Sequence, residues 1–237
     1  DLCGAAREAL RLGDLELSER LARAGLGGGH DLDARLTAGY ALAWQGRGRE
    51  ADAVLAGLDP ASLSDDELIA WALPTAANQF WMLSEPARAT AFLQSIRSKV
   101  DNPAARTAVD ALSATFAMNA GNLDRARDVA EQVLGSPDAD ETAVGWAASA
   151  AALCAARTGR FGEVDALAER AVSAGQPGLL RFTSGFGQTT ALVMTGQPDR
   201  ALTLAQRLTE FAQRRQPGRA IGEVLTADVL LARGELT

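Results

Sequence analysis

Seven turns set at nearly equal intervals constrain this chain more than any other feature of its sequence. Gly13, Gly46, Ser84, Gly121, Gly159, Gly196 and Gly234 each stand before or within an alanine- and leucine-rich stretch, at successive spacings of 33, 38, 37, 38, 37 and 38 residues. "AGNLDRARDVAEQVL" (Ala120–Leu134) and "TGQPDRALTLAQRLT" (Thr195–Thr209) show the shared layout. Five residues after the first six anchors come Ser18, Ala51, Ala89, Ala126, Val164 and Ala201. Eight after come Leu21, Val54, Phe92, Val129, Leu167 and Leu204. Seven before the anchors are Ala6, Gly39, Ala77, Ala114, Ala152, Thr189 and Ala227. Columns that stay in phase along the whole chain mark an internal repeat of 37–38 residues.

Each unit of that length predicts a helix, a tight turn and a second helix. Glycine just past a helix supplies the left-handed C-terminal conformation without steric cost. The small columns seven before and five after are where the two helices of a hairpin can cross closely. One hairpin cannot bury its apolar face alone, so the units must stack into a solenoid. Composition agrees: 47% of the residues are hydrophobic but only 5% aromatic, so the core must be alanine, leucine and valine. The expected fold is all-α, about six hairpins and a partial seventh, over residues 1–237 as a single domain. Pro74, inside "SDDELIAWALPTAANQFWML", predicts a kink or break there. "GLGGGHD" (Gly25–Asp31) reads as a flexible connection, while "SDDE" (Ser64–Glu67) and "DADE" (Asp138–Glu141) place acids where they favour a helix N-terminus.

On the glycine anchor, the small residue five later and the small residue seven earlier, the sequence resembles tetratricopeptide repeats over essentially its whole length. That resemblance implies a right-handed superhelical solenoid with a concave groove lined by the first helices. The period is longer than the 34 residues usual for that repeat, and large aromatics are missing from several of its core positions. In those departures the sequence resembles the longer helical repeats of large ATP-binding LuxR-type transcriptional regulators, relatives of the maltose-regulon activator. This second resemblance implies a sensor region in a multidomain protein, with an ATPase module before it and a helix-turn-helix domain after it. The chain begins "DLCGAAREAL" and ends "LLARGELT" inside a repeat, and is accordingly expected to be a piece of a larger cytoplasmic protein that contacts those domains.

Several kinds of chemistry find no support. No G-x-x-x-x-G-K-[ST] stretch is present to cradle phosphate. His30 is the only histidine, and without further imidazoles or a cysteine cluster neither a zinc site nor a Ser-His-Asp triad is expected. No cofactor, metal or catalytic activity is expected. Cys3 and Cys154 read as small apolar core residues of a reduced compartment. The cluster from Arg214 to Arg219 around Pro217 reads as a solvated turn. With a net charge of −7 the chain lacks the basic footprint of a nucleic-acid binder. It also lacks an apolar run of the ~20 residues a membrane span needs.

The aromatic residues carry the functional expectation. At about 100° per residue, helix positions 13, 10, 9, 6, 3 and 2 before each anchor share one arc. That arc corresponds to the groove-lining face in the resembled fold. Trp71 and Trp146 fall at the first of these positions, Phe186 at the second, Tyr40 at the fourth, Trp81 at the fifth and Trp44 at the last. Asp33, Thr75, Asn78 and Arg157 are polar neighbours on it. The rings either wedge between adjacent first helices or bind something. Aromatic faces with interleaved Asn, Asp, Thr and Arg suit a small effector such as a sugar, stacked on the rings and hydrogen-bonded at its hydroxyls. The alternative is a scaffold holding a peptide or partner domain along the groove.

Overall fold

The computed structural model of the chain describes residues 1–26, 31–175, 180–212 and 218–235. Among these the chain forms thirteen α-helices and no strand. They group into two compact units, Asp1–Val109 and Asp110–Thr237. The first unit contains α1 (Leu2–Leu12), α2 (Leu15–Gly25), α3 (Asp31–Trp44), α4 (Gly48–Leu55), α5 (Asp65–Ala77) and α6 (Pro86–Lys99). The division falls inside α7 (Pro103–Asn119). Next come α8 (Leu123–Gly135), α9 (Glu141–Arg157), α10 (Phe161–Ser173), α11 (Leu180–Met194), α12 (Pro198–Ala212) and α13 (Gly218–Ala232).

Chain neighbours pack as hairpins, and first helices also pack on the next first helix: α1 on α3 and α3 on α5 in one unit, α9 on α11 and α11 on α13 in the other. The helices start where side chains can satisfy their orphan N–H groups. Ser64 and Glu67 form a reciprocal capping box at α5, and Asp140 accepts from the Ala143 N–H at 2.7 Å at α9. The acids of "SDDE" thus sit in the first turn of α5.

Six of the seven anchors are glycines with φ between +76° and +84°. After each, the next N–H reaches back five residues to a helix carbonyl: Asp14 to Ala9, Arg47 to Leu42, Asn122 to Ala117, Arg160 to Ala155, Gln197 to Leu192 and Glu235 to Leu230. This is the Schellman closure that a left-handed residue permits. Ser84 takes the same conformation at φ +56°, the only non-glycine among the described residues to do so. Here, however, the following Glu85 N–H reaches back six residues, to the Gln79 carbonyl.

The extra residue comes from a π-helical turn, Asn78–Met82, that follows α5 directly. The break expected at Pro74 is therefore displaced: α5 runs through Pro74 to Ala77, and the irregularity appears just beyond it. Pro74 has no N–H to donate within the helix. One inserted residue also rotates everything in α5 by about 100° relative to a count made from Ser84.

Burial shows this rotation. Ala6, Ala114 and Ala152, seven before their anchors, are fully buried; in the third hairpin Ala76 is fully buried instead of the half-buried Ala77. On the second helices Ser18, Ala51, Ala89, Ala126, Val164 and Ala201 are all 0% exposed. The Ser18 hydroxyl donates to the Ala6 carbonyl at 2.9 Å, directly across one such crossing.

Cys3 and Cys154 are buried free thiols, and burial pushes Cys154 up to about 11. His30, Arg214, Arg215 and Pro217 lie outside the described residues, whereas Arg219 donates to Glu223 at 2.8 Å. No helix among the described residues is long and apolar enough to cross a membrane, and no cluster of metal-ligating side chains occurs among them.

Candidate functional site

A cavity of about 400 Å³ opens in the first unit, lined by Asp52 and Ala56 of and after α4, Trp71 and Thr75 of α5, Gln79 of the π turn, and Arg88, Ala91 and Phe92 of α6. Its existence follows from the local backbone. Gly48 lets the π turn approach α4 closely: a Cβ on Gly48 would lie 2.6 Å from the Met82 Cβ. The Asn78 amide nitrogen donates to the Gly48 carbonyl at 2.9 Å and ties the two elements together. The widened π turn then brings Gln79 to the cavity wall.

Trp71 is 6% exposed, and its indole N–H donates to the Leu55 carbonyl at 2.8 Å. Phe92 meets it edge-to-face, with ring centroids 5.5 Å apart. The Thr75 hydroxyl donates to the Trp71 carbonyl at 2.8 Å. At the polar side Arg88 pairs with Asp52 at 3.3 Å and with Glu85 at 2.7 Å. Gln79 is only 4% exposed, yet its Oε1 has no hydrogen-bond partner; the Oδ1 of buried Asn78 is in the same condition. A buried acceptor left unpaired costs roughly 1–3 kcal/mol, so such groups call for an explanation.

The residues singled out in the sequence are distributed unevenly. Trp71 and Thr75 line the cavity, and Asn78 braces its wall. Trp81 is half-buried in the π turn, with its ring 5.4 Å from Phe80. Tyr40, 44% exposed, half-buried Trp44 and Asp33 lie on α3 and do not line the cavity; Asp33 pairs with Arg7 at 3.6 Å. In the second unit, Trp146 and Phe186 pack partly buried against the core around α9, and exposed Arg157 donates to the Met118 carbonyl at 3.3 Å.

Trp71 was expected on the same open arc as Trp146, but the two differ because of the inserted residue. Corrected for the π turn, Trp71 occupies the position one later, which is also filled by buried Ala34, Val109, Ala147 and Ser184. Asp52, Gln79, Arg88 and Phe92 were not anticipated as site residues. Phe92, at the eighth position after its anchor, replaces the leucine or valine of the other hairpins.

No family model and no curated protein matches the chain. Among solved structures, it is similar to a tetratricopeptide repeat protein from Parabacteroides merdae, with a TM-score of 0.57 and 16% identity, covering 99% of this chain and 86% of the other. That likeness shows an all-α, tetratricopeptide-like fold.

Proposed function

We propose that the chain is a non-catalytic binding module, the sensing segment of a larger bacterial transcriptional regulator, and that it takes a small polar effector into the cavity between α4, α5 and α6. The observation that carries this reading is Gln79, buried in the cavity wall with an orphaned amide oxygen. The volume of about 400 Å³ falls within the roughly 300–1,000 Å³ of small-molecule sites. Trp71, Phe92, Ala56 and Ala91 supply apolar wall, and Thr75, Gln79 and Asp52 supply polar groups, a mixture that a sugar or another small polar metabolite can match. The regulator assignment rests on the length and texture of the repeats.

A second reading, a scaffold for a protein partner, draws on the tetratricopeptide-like fold and on the exposed ring of Tyr40 on α3. One substitution separates the two. Gln79→Met removes the orphaned amide at nearly constant shape. It is expected to raise the melting temperature of the unliganded protein and to abolish the thermal shift produced by effectors from a panel of sugars, polyols, amines and amino acids. If no member of the panel shifts the melting curve and a peptide bound on α3 does, the scaffold reading replaces this one.

A further inference from the structure

α13 buries one face and leaves the opposite one uncovered. Leu225 and Val229 belong to the core that this helix shares with α11 and α12. On the same side, a Cβ on Gly222 would lie 2.6 Å from the Thr209 hydroxyl of α12. At about 100° per residue, Ala220, Val224, Ala227 and Leu231 fall on the far side in one stripe about 60° wide. All four are exposed, Val224 to 54% and Leu231 to 63%. A helix face turned to water is normally polar. Here the charged residues, Glu223 and Asp228, stand at the two edges of the stripe, and its centre is apolar throughout.

The rest of the chain shows what this side of a first helix does. The four residues stand 14, 10, 7 and 3 before Gly234. In α9 the same places are held by Gly145, Ser149, Ala152 and Ala156, all buried, and α9 is packed by both α10 and α11. The stripe of α13 therefore continues a helix-packing surface already used within the chain. Its own composition says what fits it. Two α13 helices laid antiparallel, about a two-fold axis midway between Val224 and Ala227, set Leu231 opposite the partner's Ala220 and Val224 opposite the partner's Ala227. Every layer then faces a branched side chain with a methyl group, the alternation of large and small that lets facing layers interdigitate. A parallel pairing would crowd Leu231 against its own copy and leave a gap between the two Ala220 methyls. The 4-3-4 spacing is that of a seam between paired helices, and a closed two-fold contact is the commonest form of self-association.

We propose that the chain forms a two-fold homodimer through α13, with the stripe of one copy packed antiparallel on the same stripe of a second copy. The inference rests on α13 alone and is independent of the cavity.

Sedimentation equilibrium of the whole chain from ~1 μM to ~1 mM, the range of weak association, provides the test. The expected result is a reversible shift from the mass of one chain to twice that mass and no further. Leu231→Glu and Val224→Glu should each weaken the dimer at least ~10-fold, because they set an unpaired charge in an apolar seam. Circular dichroism should be unchanged in both, since each side chain is exposed in the single chain. Two cysteine variants read the orientation. Antiparallel pairing brings residue 227 within ~5 Å of its copy along the helix axis and holds residue 220 ~16 Å from its copy. Under mild oxidation Ala227→Cys should cross-link into a dimer and Ala220→Cys should not, the native Cys3 and Cys154 being buried. Equal cross-linking at the two positions, or a dimer untouched by Leu231→Glu, overturns the proposal. A single-chain mass across the whole range also overturns it and gives the stripe to a helix other than α13. Growth into ever larger species overturns it in favour of a head-to-tail contact.

Discussion

Ser84 holds a left-handed conformation that the six other anchors give to glycine. For a residue with a Cβ that conformation costs roughly 1–2 kcal/mol. Glycine's greater freedom in the unfolded chain offsets about 0.5–1 kcal/mol of any gain. Ser84→Gly is therefore expected to stabilise the protein by about 0.5–1 kcal/mol, read as a higher midpoint in urea unfolding. A lower midpoint would show that the serine side chain contributes something glycine cannot. The turns were legible because their requirement is a backbone angle that few residues meet cheaply. Ser84 could be placed among them only by its phase with the glycines.

Between elements, the best-tied junction outside the cavity is centred on Glu19 of α2, which is 8% exposed. It accepts from Arg23 at 2.9 Å, from Gln45 at 3.1 Å and from Arg47 at 2.6 Å, so α2 is fastened to the turn between α3 and α4. Burial pushes the Glu19 carboxyl up, but the bonds from Arg23 and Gln45 and the charges of Arg47 and Arg23 outweigh it and hold the group below the usual glutamate range. A carboxyl depressed in the folded state stabilises fully above its unfolded value of about 4.3, and that contribution is lost as pH falls through the lower folded value. The melting temperature should accordingly fall on acidification below about pH 4.3, and less steeply in Glu19→Gln. At neutral pH that variant should be less stable by about 1–3 kcal/mol, the contribution of hydrogen bonds to a charged group. Parallel acid profiles for the two proteins would rule Glu19 out as the titrating clamp. None of this junction was read from the sequence, because the partners are 26 and 28 residues apart and meet only once the hairpins pack. The π turn escaped for a different reason: periodicity assumes a constant number of residues per turn, and Asn78–Met82 breaks that constancy within one helix pair.

Taken whole, the chain carries a net charge of −7, and several of the described arginines are engaged in local ion pairs, as at Arg11, Arg47, Arg127 and Arg160. A net negative charge repels phosphate, so no salt-sensitive, submicromolar binding to duplex DNA is expected in an electrophoretic mobility assay; such binding would reveal a basic face that outweighs the net charge of −7. The all-α class and the positions of the helix crossings were legible at this level, since small side chains recur wherever two backbones approach. The location of the cavity was not, because it depends on a single inserted residue. The alanine-built interior also changes how the protein responds to mutation. In α9, eight of the twelve buried residues are alanine. The usual experiment of trimming side chains to alanine leaves those eight positions unprobed and samples the helix only at its larger side chains, such as Trp146 and Leu153. Sensitivity here runs toward added volume. Ala147 and Ala152 are 0% exposed, so a larger side chain at either is expected to strain the packing by about 1–3 kcal/mol.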